Sequence, residues 1–392
     1  MALPLSYSWR SLLARGTRTA FTVAVIALVV IATTLFWSLI ASLKRTLVSS
    51  GSPENLVVMR KGATNDGSSQ LSLESLQAIR FFEGIARDPE GNPMISPELV
   101  VQPFFATADG GRENVLVRGV EPIALLVHDE VSIAEGRLFT TSSGEAVVGR
   151  GVSRRYKGAA IGSVLKFGRG TWKVVGILES NGSSFESEVW VDARQLANDA
   201  KRTLPYSGFR IRVAKGADMD ALARRIGDDP RYALEATREI DYYENLSSSA
   251  NTLYIIVVGL AVLAGIGAIF GATNTMYAAV QSRTSEIGTL RALGFSRASI
   301  LFSFLSESVM TALFAFAVGA AGAWALAIYI SWLLGGIAFG AATFTTNVIQ
   351  LRVAPADLAM PFALSLLIGV FGGLAPAARA ARMRPVDALR KA

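Results

Sequence analysis

Residues Gln281–Arg297 read QSRTSEIGTLRALGFSR, and this charged stretch lies between two apolar runs, each long enough to cross a bilayer. Ile287, Leu290 and Leu293 recur every three residues, which predicts a short helix with those three along one side. Arg283 and Glu286 form an i,i+3 pair on another side, and Arg291 adds a second cation near the helix end. Gly294 can adopt the left-handed conformation that closes a helix. A short helix outside the membrane between two spans is either a plain connector or a handle gripped by another protein.

Working outward, residues 251–280 form an apolar run of about 45 Å if helical, longer than a ~30 Å hydrocarbon core. Gly267 and Gly271 stand at GxxxG spacing and Ala261 and Gly265 repeat the small-residue pattern, so helix packing is expected there, within the chain or with a second copy. The run 300–334 follows 281–299 and reads as a span broken near Gly319 and Gly322. Glu307 lies inside it, and an intramembrane acid is either a proton or substrate site or a structural acid near the cytoplasmic interface. Residues 335–356 are a short outer loop, 357–378 a fourth span and 379–392 a basic tail. At the other end, residues 1–20 are basic and 21–43 are apolar, too long for the h-region of a signal peptide and suited to a full span.

The block 44–250 is different in kind. It holds 26 Lys/Arg against 27 Asp/Glu, short β-rich runs separated by turn signals, and helical patterns opened by Ser72 and Asp218. It reads as an α+β domain large enough for its own core, with a break near Ser183–Glu186 suggesting two subdomains. The remaining residues hold twelve basic and four acidic side chains, so the net charge of +7 belongs to the membrane-associated part and does not indicate nucleic acid. The basic residues cluster in the N-terminal segment, the 281–297 loop and the C-terminal tail, which places those three in the cytoplasm and 44–250 outside it. The fold class expected is a membrane protein with four transmembrane α-helices and a large α+β extracytoplasmic domain between the first two. That domain would hang from the first and second spans alone.

The chain is 392 residues long, 51% hydrophobic and 18% charged, with no cysteine and a single histidine. Disulfides and thiolate chemistry are excluded. No lysine follows a glycine, so a Walker A motif is absent, and neither a GxSxG elbow nor HExxH occurs. Neither a metal site nor a catalytic constellation is expected, and His128, at an apolar-to-acidic transition, reads as a surface or loop residue. One S-x-x-K, Ser163–Lys166, falls in a strand-like run where residues three apart face opposite sides.

RTSEIGTLRALG (283–294) resembles the R-x-x-E-I-G-x-L-R-A-L-G signature of the FtsX/MacB-type ABC transporter permeases, and PAARAARMRPVDALR (376–390) resembles that family's terminal motif. Glu307 within Ser306–Ser308 and RTAFT (18–22) are similar to the family's entries to the third and first spans. The resemblance implies a non-catalytic permease that binds no cofactor itself, with ATP and Mg on two copies of an ABC ATPase subunit. About 20 residues precede the first span, so the stand-alone permease form is expected. The 283–294 helix would then be the coupling helix, a second permease copy would complete a dimer, and ATP-driven closure would move the outer domain. Lipoprotein-releasing permeases and exporters that use a periplasmic adaptor and an outer-membrane component share the plan. The products expected are therefore a lipid, a lipoprotein or a hydrophobic compound. The alternative is an FtsX-type signalling scaffold that activates a periplasmic cell-wall hydrolase.

Overall fold

The computed structural model describes residues 16–107, 110–247, 250–334, 337–339 and 347–385. The chain divides into two compact units, Met1–Ala41, Asn251–Tyr329 and Leu351–Ala392 in one, and Ser42–Ala250 with Ile330–Gln350 in the other. A long apolar helix, α1 (Gly16–Val48), leads into the second unit.

That outer unit is built on β1 (Asn55–Arg60), α2 (Leu73–Ile79), β2 (Ile95–Val101), β3 (Phe104–Ala106), β4 (Arg112–Asn114), β5 (Leu116–Val120), α3 (Ala124–Val127), β6 (Ser132–Gly136) and β7 (Glu145–Gly149). It continues through α4 (Arg150–Arg155), β8 (Val164–Phe167), β9 (Gly170–Glu179), β10 (Glu188–Asp192), α5 (Ala193–Asp199), β11 (Gly208–Arg212), α6 (Met219–Gly227), β12 (Leu234–Arg238) and α7 (Glu239–Ser247). One mixed sheet runs β12-β1-β11-β2-β5-β10-β7-β9-β6, with β8 paired to β9. No division falls at 183–186. Those residues make a tight turn into β10, a strand in the middle of the sheet.

Local chemistry explains where elements stop. Asp218 caps α6 by accepting from Asp220 N and Ala221 N, both at 3.0 Å. Ser72 caps α2, which ends at Ile79, and Phe81 beyond it is left exposed. The β-rich run Leu99–Phe105 is divided between β2 and β3, because Pro103 carries no N–H for a ladder; its carbonyl instead accepts from Val115 N at 3.0 Å.

One face of the sheet is apolar in two clusters, Leu56, Val58, Phe209 and Ile211 towards one edge and Val117, Val148, Trp172 and Val189 towards the other. The opposite face carries Val57, Val147 and Trp190, packed with Tyr242 and Tyr243 of α7. A short hairpin, β13 (Ile337–Phe339) and β14 (Asn347–Ile349), also belongs to this unit. Val348 N donates to Ser187 Oγ at 2.9 Å, and Ile349 packs with Leu43 and Leu47. The outer unit is therefore attached through the 330–350 segment as well as through the first and second spans.

The helical unit contains α8 (Ala250–Gln281), α9 (Thr284–Ala292), α10 (Arg297–Leu334) and α11 (Ala359–Arg382). Among the described residues four stretches, in α1, α8, α10 and from Pro355 through α11, are long and apolar enough to cross a membrane. The architecture is four apolar helices with a sheet-rich domain between the first two. α10 is continuous through Gly319 and Gly322, contrary to the break expected there. These glycines mark where α1 approaches: a Cβ on Gly319 would lie 2.7 Å from Val30 Cβ. On α8, Gly265 faces Leu364 and Ala272 faces Gly372, whereas Gly267 and Gly271 lie on an exposed side with nothing within 4 Å of a built Cβ.

Candidate functional site

The short helix α9 is held to the helical unit by one buried cation. Arg283, just before its first turn, donates from NH1 to Glu307 Oε2 on α10 at 3.0 Å, and its Nε lies 3.3 Å from Glu286 Oε2. The guanidinium carbon sits 5.9 Å from the centroid of the Phe304 ring. Arg283 and Glu307 are both buried, while the Glu286 side chain is exposed. The intramembrane acid thus has a specific cationic partner, and it borders a mostly apolar cavity lined by Ile26, Ala272 and Met276 with Thr22, Thr275 and Thr311.

The three apolar residues of α9 do not share one side. Ile287 is 1% exposed and packs with Val280, Ile300, Phe304 and Ala377, Leu290 is half-buried, and Leu293 is 71% exposed. At 3.6 residues per turn a step of three falls about 60° short of a full turn, so Ile287 and Leu293 point about 120° apart. The outward stripe is instead Glu286, Thr289 and Leu293. The helix closes on Gly294, whose φ is +91°, with Phe295 N donating to Leu290 O at 3.2 Å. Half-buried Arg291 braces that turn by donating from NH1 to Phe295 O at 2.9 Å.

A second polar constellation, inside the outer unit, was not foreseen from the sequence. Arg118 of β5 donates from Nε and NH2 to both oxygens of Glu188 on β10, at 2.7 and 2.6 Å, and from NH1 to Glu98 on β2 at 2.7 Å. Arg210 of β11 holds Asp66 through two bonds of 3.1 and 2.8 Å, and Tyr242 donates to the same carboxylate at 3.0 Å. His128 Nε2 is 2.7 Å from Glu98 Oε1, and its ring packs edge-on against Phe185. Glu239, the first residue of α7, accepts from Ser52 N at 3.1 Å and Asn55 Nδ2 at 2.8 Å, and lies 3.3 Å from Arg210 Nε. All of these charged groups are buried. The signal available in the sequence was a charge within each of four largely apolar strand runs, Glu98, Arg118, Glu188 and Arg210.

His128 is therefore not a surface residue but fully buried. Burial by itself would favour the neutral ring, yet the Glu98 carboxylate outweighs it and the pKa is pushed up to about 10. Burial likewise opposes ionisation of Glu98, but Arg118, Arg210 and His128 together hold its carboxyl well below the usual range. Burial raises Glu239 above the ordinary carboxylate value despite nearby His128 and Arg210. A histidine raised from about 6.5 contributes stability that is complete below that pH and is lost as pH rises through about 10. The outer unit is expected to lose stability over that window by up to about 1.4 kcal/mol per pH unit. Thermal unfolding of the full chain in nanodiscs should show the slope, and His128→Gln should remove it. An identical slope in both proteins would contradict the assignment.

Residues 19–229 match the MacB-like periplasmic core domain family, and residues 258–385 match the FtsX-like permease C-terminal family. A macrolide export ATP-binding/permease protein MacB of Bdellovibrio bacteriovorus is 26% identical over 71% of this chain and 44% of its own length. A MacB of Chlorobium luteolum is 28% identical over 89% and 53%, and a pyoverdine export ATP-binding/permease protein PvdT of Pseudomonas savastanoi pv. phaseolicola is 28% identical over 66% and 40%. The chain spans about half the length of these curated relatives. Among solved structures, the periplasmic region of MacB from Actinobacillus actinomycetemcomitans aligns with a TM-score of 0.39 and 10% identity, covering 50% of this chain and 94% of that one.

Proposed function

We propose that this chain, which belongs to the family of ABC transporter permeases with a MacB-like periplasmic core domain and an FtsX-like C-terminal region, transmits ATP-driven movement from a cytoplasmic ATPase to its outer domain. The observation that carries this is α9, fixed inward by Arg283 and Ile287 and outward-facing through Glu286, Thr289 and Leu293. That stripe is a self-contained docking face for the ATPase, which would hold ATP and Mg. Both termini and α9 lie in the cytoplasm of an inner-membrane protein, and the outer unit lies in the periplasm. A second permease copy takes the open Gly267/Gly271 side of α8, and a periplasmic adaptor or outer-membrane component is the further partner of an exporter. Relatives named for macrolide and pyoverdine export favour a hydrophobic compound, lipid or lipoprotein as the product moved.

Leu293→Asp alters only the exposed stripe, whereas Glu286→Lys also removes the carboxylate beside Arg283 Nε. Each is expected to reduce ATPase stimulation in reconstituted proteoliposomes by tenfold or more while the protein still inserts. Unchanged stimulation in both variants would remove α9 as the docking face.

A further inference from the structure

We infer that Glu239 is a positioning residue that clamps the segment entering the outer unit to the segment leaving it, and joins both to the middle of the sheet. This rests on the mechanotransmission reading above. The chain enters the outer unit from α1 through Ser49–Glu54 into β1, and leaves it from β12 through α7 towards α8. Glu239 touches both segments, accepting from Ser52 N and Asn55 Nδ2 while standing at the first position of α7. The two backbones meet at the same place: a Cβ on Gly51 would lie 3.1 Å from Glu239 O and from Ile240 Cα. Ser50 Oγ closes the far side by accepting from Ser184 N at 2.9 Å.

From this clamp a chain of ion pairs continues inward. Glu239 lies beside Arg210, Arg210 holds Asp66, Asp66 lies 3.7 Å from Arg118, and Arg118 holds Glu98 and Glu188. The path crosses β11, β2, β5 and β10, the four adjacent strands that join the two apolar clusters of the other face. Sliding any of these strands would separate buried charges, so the centre of the sheet resists shear. A displacement applied at either root is therefore delivered to both roots and to the sheet as one body. An apolar clamp of the same shape would lack that directional resistance, because hydrophobic contact is non-directional.

The chain has no native cysteine, so two labels can be placed cleanly. Spin labels at Leu73→Cys in the outer unit and Ala298→Cys at the start of α10, both exposed, are diluted with unlabelled chain. The complex with its ATPase is reconstituted in phosphatidylethanolamine/phosphatidylglycerol vesicles. Trapping with ATP and vanadate is expected to shift the label distance in the parent protein. In Glu239→Gln, and separately in Gly51→Val, the shift is expected to fall by at least half, with ATPase stimulation within twofold of the parent and the outer unit still folded by circular dichroism at the assay temperature. A full shift in both variants overturns the clamp alone, as does a shift lost only together with folding. No shift in the parent overturns the mechanotransmission reading and the clamp together.

Discussion

Replacement of Arg118 by methionine is expected to cost the outer unit about 3–5 kcal/mol, a large part of the ~5–15 kcal/mol by which a typical domain is stable. The guanidinium is 2% exposed, makes three short bonds to Glu188 and Glu98, and stacks 5.5 Å from the centroid of Phe185. Methionine would fill the space but leave two carboxylates buried without that cation. Burial opposes ionisation of Glu98, and without Arg118 it would take up a proton more readily, so the loss should be greatest at high pH and shrink as pH falls. Thermal unfolding of the full chain across pH measures it. Adding Glu188→Gln to Arg118→Met should recover part of the lost stability, since Glu188 would no longer be left as a buried carboxylate without its cation. A loss below about 1 kcal/mol for Arg118→Met alone would mean that the cluster contributes little beyond packing.

Arg283→Gln is the second change with a large expected effect, this time on coupling. The variant removes the cation that ties the start of α9 to Glu307 across to α10. Breaking a buried pair by deleting one partner costs about 3–5 kcal/mol, enough to release a nine-residue helix that owes little to intrinsic helix propensity. ATPase stimulation should fall at least tenfold. Glu307→Gln should do the same, and the double variant should recover much of the activity, with a coupling term of roughly 0.5–3 kcal/mol. A proton-carrying Glu307 would give the opposite pattern, because pairing its loss with Arg283→Gln could not restore a missing titratable group. Stimulation assays on the two single variants and the double variant distinguish these outcomes.

The four spans and the inserted domain were legible because the signals behind them are long. Runs of twenty or more apolar residues, a near-neutral polar block and an asymmetric distribution of basic residues each average over many positions. Within α9 the residues involved were legible but their directions were not. A three-residue repeat drifts around the helix, and which end of the drift faces inward depends on Phe304 and Ala377, which are remote in sequence. Glu307 was visible as an anomaly, yet its partner lies 24 residues earlier beyond a turn. The cluster around Arg118 was hidden for another reason. Its members, Asp66, Glu98, Arg118, His128, Glu188, Arg210 and Glu239, are spread over most of the domain, and only the strand order brings them together. His128 was misplaced because local composition cannot show that Glu98 is waiting for it.

The hairpin of β13 and β14 changes the kinematics of the molecule. A body suspended from two strings can swing and twist between them. Here the covalent chain passes between the two units four times, because the segment between α10 and α11 belongs to the outer unit. Val348 and Ile349 fasten that extra loop to Ser187 and to the end of α1. The outer unit therefore has four covalent connections, and the two that flank this hairpin lead to α10 and α11.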